Sequence, residues 1–303
     1  MQYVEGPPPG IYGTSPIKRL RATKAQVGNR WTSLRQIVEQ QRPMTVRQVF
    51  YQATVHNLVE KSEAGYRRIQ HALAEMRRAG VLPYQWIADN TRWQRKPTTF
   101  SSIEDALNDT ARFYRKSLWR DADAYVEIWL EKDALAGVLM PVTVKYDVPL
   151  MVTRGYSSLS FLHTAAEYIA ALAVPTFIYH FGDYDPSGVN AGQKIEQTLH
   201  EMAPNAVIHF ERVAVTEPQI TGMNLPTRPT KATDTRAKGF GDISVELDAI
   251  APDALRGLAE QVIQRHLPQA QLEVLLVAEA DEKRLLHGLV GMLGERLAGG
   301  PDA

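Results

Sequence analysis

The sequence predicts an α/β fold preceded by a mainly helical N-terminal part. Up to about residue 120 the apolar residues recur at helical spacing, whereas from residue 125 short apolar runs typical of strands alternate with helical segments. The charge also changes sign between the two halves. Strands separated by helices form βαβ units, so we expect a parallel sheet flanked by helices.

The composition excludes several classes of protein. The chain has 303 residues, 44% apolar and 22% charged, as expected for a globular protein of about two domains. It contains no cysteine, which excludes disulfides, Cys-ligated metal sites and thiol catalysis. No apolar run reaches a membrane span of about 18 residues, and the start MQYVEGPPPG is unlike a secretory signal. We therefore expect a cytoplasmic protein without membrane contact.

The net charge of zero hides an uneven distribution. Residues 1–120 carry 20 Lys and Arg against 9 Asp and Glu, whereas residues 121–303 carry 14 against 25. An excess of 11 positive charges in one half is typical of nucleic-acid contact. The alternative is two solvated surfaces of opposite sign.

The N-terminal elements follow from caps and breakers. Residues 1–28 include a Pro- and Gly-rich stretch and are expected to form an irregular arm. A helix is predicted over Asn29–Gln40. After Pro43, Thr45 and Gln48 form a capping box that opens a second helix.

A third helix, Glu63–Arg78, is strongly amphipathic, and Gly80 ends it. Its polar face carries four arginines: Arg67, Arg68, Arg77 and Arg78. The aromatic segment VLPYQWIADNTRW follows and could form a small β-ribbon. Helix, turn, basic helix and ribbon is the order of a winged-helix DNA-binding domain, predicted here over residues 29–98, in which the basic helix enters the major groove.

A linker helix is predicted over residues 99–120, opened by Ser101 and Glu104 as a capping box. The domain from 121 to 303 then contains the strands and a helical C-terminal tail. The predicted strands are Tyr125–Leu130, Pro149–Thr153, Thr176–Phe181 and Val207–Phe210.

Carboxylates follow two of these strands. Glu131 ends the first, and Asp183 and Asp185 follow the third, where Gly182 and Gly188 would let the backbone turn tightly. The carboxyl ends of parallel strands share one edge, so the three carboxylates would repel one another unless they bound a cation, most simply Mg²⁺. The alternative is a common turn beside an acidic helix start.

Four segments together resemble a known family. Glu131–Ala134, Thr153–Tyr156 and Gly182–Gly188 look like the Toprim domain of the topoisomerase VI A subunit and the related meiotic double-strand-break protein. Arg47–Tyr51 stands where that family has its Arg-x-x-Tyr-Tyr segment. The resemblance spans roughly residues 30–265 and is greatest for the short, stand-alone versions of the subunit. It implies a Toprim-type sheet behind a winged-helix domain.

The chain departs from the family at three positions. Phe50 replaces the first tyrosine, Tyr184 stands where glycine is usual, and Ser187 where an aromatic residue is common. The segment Glu246–Ile250 resembles a segment late in the same family.

The resemblance implies Mg²⁺-dependent DNA cleavage. Tyr51 would attack a phosphodiester and form a 5′-phosphotyrosyl bond, Arg47 would assist from one helical turn away, and Glu131, Asp183 and Asp185 would hold the metal. A double-strand break in duplex DNA needs two tyrosines, hence a homodimer. In the family the tyrosine of one chain meets the metal of the other. ATP-driven strand passage would need a separate ATPase subunit.

Further basic residues are expected to contact DNA phosphates: Lys132, Arg154, Arg67, Arg68, Arg77 and Arg78. Three interpretations stay open. The first is cleavage through Tyr51. The second is a hydrolytic Toprim nuclease of a plasmid- or phage-defence type, in which Tyr51 only packs in the core. The third is a DNA-binding protein without catalysis.

Overall fold

The computed structural model describes residues 24–88, 98–230, 240–267 and 269–298. The helices in these ranges are α1 (Lys24–Gln41), α2 (Val46–Val55), α3 (Glu63–Arg78), α4 (Ile103–Phe113), α5 (Ala136–Lys145), α6 (Leu159–Ala170), α7 (Pro186–Met202), α8 (Glu217–Gly222), α9 (Pro252–Gln264) and α10 (Gln269–Ala298). The strands are β1 (Tyr125–Leu130), β2 (Leu150–Val152), β3 (Thr176–Phe181), β4 (Ile208–Ala214), β5 (Arg228–Pro229) and β6 (Ile243–Ser244).

The predicted parallel sheet is present. Its strand order is β2-β1-β3-β4, with every neighbouring pair parallel, and β5 and β6 form a separate antiparallel ribbon. The limits of β1 and β3 match the prediction because both are apolar runs covered on both faces. β4 runs to Ala214, beyond the predicted Phe210, because this edge strand carries the polar residues Glu211 and Arg212 within its length.

The cap of α2 and the glycine after α3 are those that the sequence predicts. Thr45 and Gln48 form a capping box at α2. Ser62 caps α3 by accepting a hydrogen bond from the Gly65 N–H, and Gly80 follows the helix at φ 71°. These local signals explain why α3 has its predicted bounds.

The segment after α3 differs from the predicted ribbon. Tyr84–Trp86 forms a 3₁₀ turn, and Ile87 pairs with Met44 in a single parallel bridge. Residues 89–97, which would complete the wing, lie outside the described residues. The structure therefore shows three helices in the N-terminal part, and the winged-helix assignment stays a prediction.

The linker helix is shorter than the predicted 99–120. Ser102, rather than Ser101, caps it, and α4 ends at Phe113. The chain leaves the helix there because the next residues turn towards α10, where Arg115 Nε donates to Glu279 at 3.1 Å.

The hydrophobic core joins the helical part to the sheet. One cluster of buried side chains contains Val49 and Leu73 from α2 and α3 together with Leu130 from β1. A second cluster covers the opposite face of the sheet and includes Trp129 and Ile178. Successive residues of β1 thus serve different clusters, as the alternation of a strand requires.

The longest helix is α10, with 30 residues. It packs against the segment after α4, where Tyr114 Oη donates to Glu282 at 2.6 Å. Neither α10 nor any other helix in the described ranges combines the length and apolar character needed to cross a bilayer.

Candidate active site at the acidic edge

Two of the predicted carboxylates meet where β1 and β3 end. Glu131 directly follows β1, and Asp183 follows β3 after one glycine. The Asp183 N–H donates to Glu131 Oε2 at 2.9 Å, and Asp183 Oδ1 accepts from the Leu247 N–H at 2.8 Å. The parallel pairing of β1 with β3 brings these residues together, as predicted from the sequence.

The third predicted carboxylate, Asp185, has two partners. One oxygen accepts the Gly188 N–H at 2.8 Å and caps α7. The other lies 3.1 Å from the Arg228 guanidinium. Asp185 therefore stabilises the start of α7 and forms an ion pair with Arg228 of the β5–β6 ribbon.

Two further carboxylates come from the segment after β6. Glu246 and Asp248 are 8% and 3% exposed, and they join Glu131, Asp183 and Asp185 in one cluster, here called the acidic edge. The resemblance of Glu246–Ile250 to a family segment was the only sequence signal for them.

Lys132 lies inside the acidic edge. Its Nζ is 2.8 Å from Asp248, 3.0 Å from Asp183 and 3.8 Å from Glu246. Burial alone would lower the pKa of Lys132, but the charges of Asp248 and Asp183 outweigh it and raise the pKa. In this arrangement the ammonium neutralises carboxylates of its own chain, which differs from the phosphate contact expected from the sequence.

Helix α2 is bound to the acidic edge through its first turn. Arg47 pairs with Glu246 at 2.7 Å, and Thr45 Oγ1 donates to Asp248 at 3.0 Å. The Arg47 guanidinium also lies 5.1 Å from the centre of the Tyr66 ring, within cation–π range. Helix α2, which carries Arg47 and Tyr51, therefore contacts Glu246 and Asp248, and these two residues lie beside the predicted metal ligands.

Tyr51 is buried, with 6% of its surface exposed. Burial raises the pKa of Tyr51 to about 12, and the charge of Glu246 adds to this, whereas Arg47 and Lys132 act in the opposite direction. The phenol therefore lies within electrostatic reach of the acidic edge, and it is protonated at neutral pH.

Glu131 titrates near neutral pH. Burial, together with the negative charge of Asp183, raises the pKa of Glu131 to about 7. A carboxyl group with such a pKa can both accept and donate a proton under physiological conditions.

Arg212 of β4 binds backbone carbonyls of the loop after β3, which contains Gly182 and Asp183. The sequence analysis did not predict this role. Its guanidinium donates to the backbone carbonyls of Val215 at 3.1 Å and Gly182 at 3.0 Å, and it also contacts the Asp183 carbonyl. Burial lowers the pKa of Arg212. An arginine within a strand gives no local signal that it will bind carbonyls of another loop.

Gly182 and Gly188 are needed for close packing rather than for a tight turn. Neither is among the glycines with positive φ. A Cβ on Gly188 would lie 2.5 Å from the Asp183 carbonyl oxygen, and a Cβ on Gly182 would lie 2.7 Å from Glu131 Oε2. A side chain at position 188 would thus collide with the backbone of Asp183, and one at position 182 would require neighbouring side chains to move.

A groove of about 710 Å³, a size typical of ligand sites, is lined by residues of the N-terminal helices and of the acidic edge. Its lining includes Arg47, Tyr66, Arg77, Glu131, Lys132 and Arg154. Arg154 pairs with Asp133 at 2.9 Å and remains 63% exposed. Tyr51 is not among the described residues that line the groove.

Of the four arginines of α3, two pair within the helix, one lines the groove, and Arg68 is exposed. Arg67 and Arg78 pair with Glu63 and Glu75 of their own helix, at 3.3 and 2.7 Å. Arg77 lines the groove, with its guanidinium 5.5 Å from the centre of an exposed tyrosine ring. The helix therefore offers Arg77 to a ligand in the groove, whereas Arg67 lies away from it.

The donor chemistry of the acidic edge fits Mg²⁺, which prefers carboxylate oxygens. Asp183 and Asp185 are paired with Lys132 and Arg228, whereas Glu131 forms no ion pair with any described residue. Burial and the charge of Asp183 raise the pKa of Glu131, and the nearby charge of Lys132 offsets this only in part. Across the described ranges, no group of three or more Asp, Glu, His or Cys side chains is already arranged to hold a metal.

Comparison of the sequence with known protein families gave no match, and no curated protein matches the chain either.

Proposed function

We propose that this protein cleaves DNA phosphodiester bonds with the help of Mg²⁺ and uses Tyr51 as the nucleophile. The observation that supports this most directly is the ion pair between Arg47 and Glu246, because it attaches the helix that carries Tyr51 to the acidic edge. The resemblance to the topoisomerase VI A subunit supports the same residues in the same roles.

The proposed reaction exchanges one phosphodiester for another. The Tyr51 hydroxyl oxygen attacks phosphorus, a tyrosyl P–O bond forms, and the P–O bond to the leaving sugar oxygen breaks. The phenolic proton passes to solvent water, and the leaving sugar oxygen takes a proton from solvent water, so that no net proton is consumed. The resemblance implies a 5′-phosphotyrosyl product and a free 3′ hydroxyl.

The residues of the site have separate tasks in this proposal. Arg47 and Lys132 oppose the effect of burial on the pKa of Tyr51, and so favour its ionised form. Glu131, Asp183 and Asp185 would hold Mg²⁺, which stabilises negative charge on phosphate oxygens.

The partners follow from the same resemblance. Duplex DNA would bind along the basic N-terminal part, proposed as a winged-helix domain over residues 29–98, and the sheet domain would be of Toprim type. Two chains would form a homodimer that cuts both strands. A separate ATPase subunit would be needed for strand passage, and a cytoplasmic location fits a chain without cysteine.

A second candidate function is hydrolysis by water in a Toprim nuclease. The observation that favours it is the state of Tyr51, which is 6% exposed and has its pKa raised to about 12 by burial. Glu131 would then act as general base towards water in the groove.

The experiment incubates supercoiled plasmid with Mg²⁺ and either the wild type or Tyr51→Phe, and stops the reaction with denaturant, with and without protease. We expect protein-bound broken DNA with the wild type and none with the variant. Free broken DNA that persists with Tyr51→Phe would establish the hydrolytic nuclease instead. Absence of cleavage by the wild type would leave two explanations, a missing partner subunit and a non-catalytic DNA-binding protein.

A further inference from the structure

We infer that two copies of this chain associate through the exposed face of α10, with the two helices antiparallel. The proposed function calls for two chains but does not say which surface joins them. The inference rests on the side chains of α10 and not on catalysis, so it can be tested without DNA or Mg²⁺.

Helix α10 is buried on one face only. Leu272, Glu279 and Val290 are buried, and the helix packs against α4 and the segment that follows α4. The opposite face carries large apolar side chains that are each more than half exposed: Val274, Val277, Leu285, Leu289 and Met292. An exposed apolar surface of this kind indicates a contact with another chain.

The exposed positions of α10 have the spacing of a coiled coil. Residues 274, 277, 281, 284, 288 and 291 are all exposed, and they are separated alternately by three and four positions. This spacing places them along one seam of the helix, through which a second helix can interlock its own side chains. In chain order the seam reads Val, Val, Asp, Arg, Gly and Gly.

The seam is complementary to itself in an antiparallel pair whose twofold axis passes between positions 282 and 283. Val277 of one copy then faces Gly288 of the other, and Val274 faces Gly291, so that each large residue meets a small one. A Cβ on either glycine would have no atom of the rest of its chain within 4 Å, which leaves space for the valine. Because the axis is twofold, each of these contacts occurs twice.

The charges at the centre of the seam favour the antiparallel orientation. The same axis places Asp281 of one copy against Arg284 of the other, whereas a parallel pair would place each charge against its own kind. Within one chain the two residues pair with each other, yet they stay 56% and 79% exposed and can also reach a second copy. Exposed ion pairs add little stability, so these charges would set orientation and register.

A shallow groove of about 610 Å³ continues the seam on this face of α10. It is lined by two charged residues, a glycine and three apolar residues: Asp281, Arg284, Gly288, Leu285, Leu289 and Met292. The described residues that line the groove beside the acidic edge include none from α10. The pairing of α10 therefore occupies none of the residues that an active site between two chains would use.

Charge reversal tests the pairing. Asp281→Arg and Arg284→Asp each place like charges in contact twice, and each variant alone should dimerise at least about 10-fold more weakly than the wild type. A mixture of the two variants restores opposite charges at both contacts and should form mixed dimers with about wild-type affinity. Sedimentation equilibrium measures the affinity, and native mass spectrometry identifies the mixed dimer.

The matched control is an exposed ion pair of the same kind and spacing on the neighbouring helix. Arg112 pairs with Asp109 within α4, and Arg112 is 69% exposed. Arg112→Asp should leave dimerisation unchanged, because the proposed interface does not include α4.

Cysteine substitutions test orientation and register in a chain that has no native cysteine. Val277→Cys mixed with Gly288→Cys should give a disulfide-linked dimer under mild oxidation. Neither variant alone should give one, because each cysteine lies about 16 Å along the helix axis from its equivalent in the other copy. That separation is beyond the reach of a disulfide.

Several results would overturn the inference. They are a monomeric wild type, a dimer that the charge reversals leave unchanged, and charge-reversed variants whose mixture does not dimerise. A disulfide dimer of either cysteine variant alone, or the absence of one from their mixture, would overturn it as well. A wild type that fails to cleave plasmid would count against the proposed function and would leave these measurements of association unaffected.

Discussion

Strand β1 carries a buried carboxylate, Glu127, and leads directly into a half-buried one, Glu131, and the two have different surroundings. Glu127 is 2% exposed and accepts hydrogen bonds from Trp129 Nε1 at 2.6 Å and Tyr125 Oη at 3.1 Å, both neighbours on the same strand. Glu131 faces the groove, beside Asp183 and carboxylates from distant segments. Burial raises the pKa of both glutamates.

The comparison shows that burial and a raised pKa do not by themselves identify a functional carboxylate. Neutral donors from its own strand satisfy Glu127, which suits a structural role. At the acidic edge, α2, β1, β3 and the segment after β6 all contribute charged groups next to a groove. Two properties distinguish the sites. The partners of Glu127 come from its own strand, whereas those at the acidic edge come from distant segments, and only Glu131 lines the groove.

The largest expected effect is on stability, and it tests whether the acidic edge depends on its internal cation. Lys132→Met would leave Asp183 and Asp248 without their ammonium partner, and we expect a loss of about 3–5 kcal/mol in the free energy of unfolding. Urea denaturation measures it. Lys145→Met is the control, since Lys145 pairs with Glu260 at the surface and should cost about 1 kcal/mol or less. Equal effects of the two variants would contradict the comparison.

The next effect separates the two carboxylate sites by activity. Asp183→Asn should lower plasmid cleavage by at least about 100-fold, since it removes a charge from the reacting site. Glu127→Gln keeps its shape and its neutral donors and should leave the rate of cleavage within about twofold. Initial rates measured with excess enzyme check both. Similar losses of cleavage in both variants would mean that the substitutions act by disturbing the fold and not by removing a group from the site.

The next prediction concerns His180, a buried histidine of β3, and its smaller effect on the free energy of unfolding, which depends on pH. Burial lowers the pKa of His180 to about 3, and both ring nitrogens lack a hydrogen-bond partner in the described structure. The folded state therefore excludes a proton that the unfolded state binds below pH 6.5, and stability falls as the pH decreases. Between pH 6.5 and 5 we expect the wild type to lose about 2 kcal/mol more than His180→Gln. Parallel stability curves would show that His180 is accessible to protons.

The smallest effect concerns DNA affinity and compares two arginines of α3. Arg77 lines the groove, and Arg67 pairs with Glu63 outside it. Arg77→Ala should weaken DNA binding by about 1 kcal/mol and reduce the slope of log affinity against log salt by about 1. Arg67→Ala should change both by less. Fluorescence anisotropy at several salt concentrations measures this, and a larger effect of Arg67→Ala would move the DNA away from the groove.

Local signals predicted part of the fold. The bounds of β1, β3 and α3 agree with the sequence because apolar runs, caps and Gly80 define them without help from the rest of the chain. The meeting of Glu131 with Asp183 was also predictable, since parallel strands end at a common edge. The end of α4 at Phe113 was missed because it depends on contacts with α10, more than 160 residues away.

The rest of the site depends on contacts far apart in the sequence. Thr45 and Asp248 are separated by 203 positions, and Lys132 and Asp248 by 116. No periodicity links such residues, so the ion pairs of Lys132 with Asp183 and Asp248 could not be predicted, and the sequence analysis assigned Lys132 only a phosphate contact. Arg212 likewise resembles any polar residue of an edge strand.

The glycines beside Glu131 limit how this sequence can vary. At Gly188 the obstacle is the backbone oxygen of Asp183, which cannot swing aside as a side chain can. In a library randomised over the loop, selection for a folded protein should recover glycine alone at position 188. At position 182, where side-chain atoms of Glu131 and His180 are in the way, small residues should survive only when both of these side chains are shortened. Substitutions in this loop would therefore be tolerated only together with changes in the side chains that they contact.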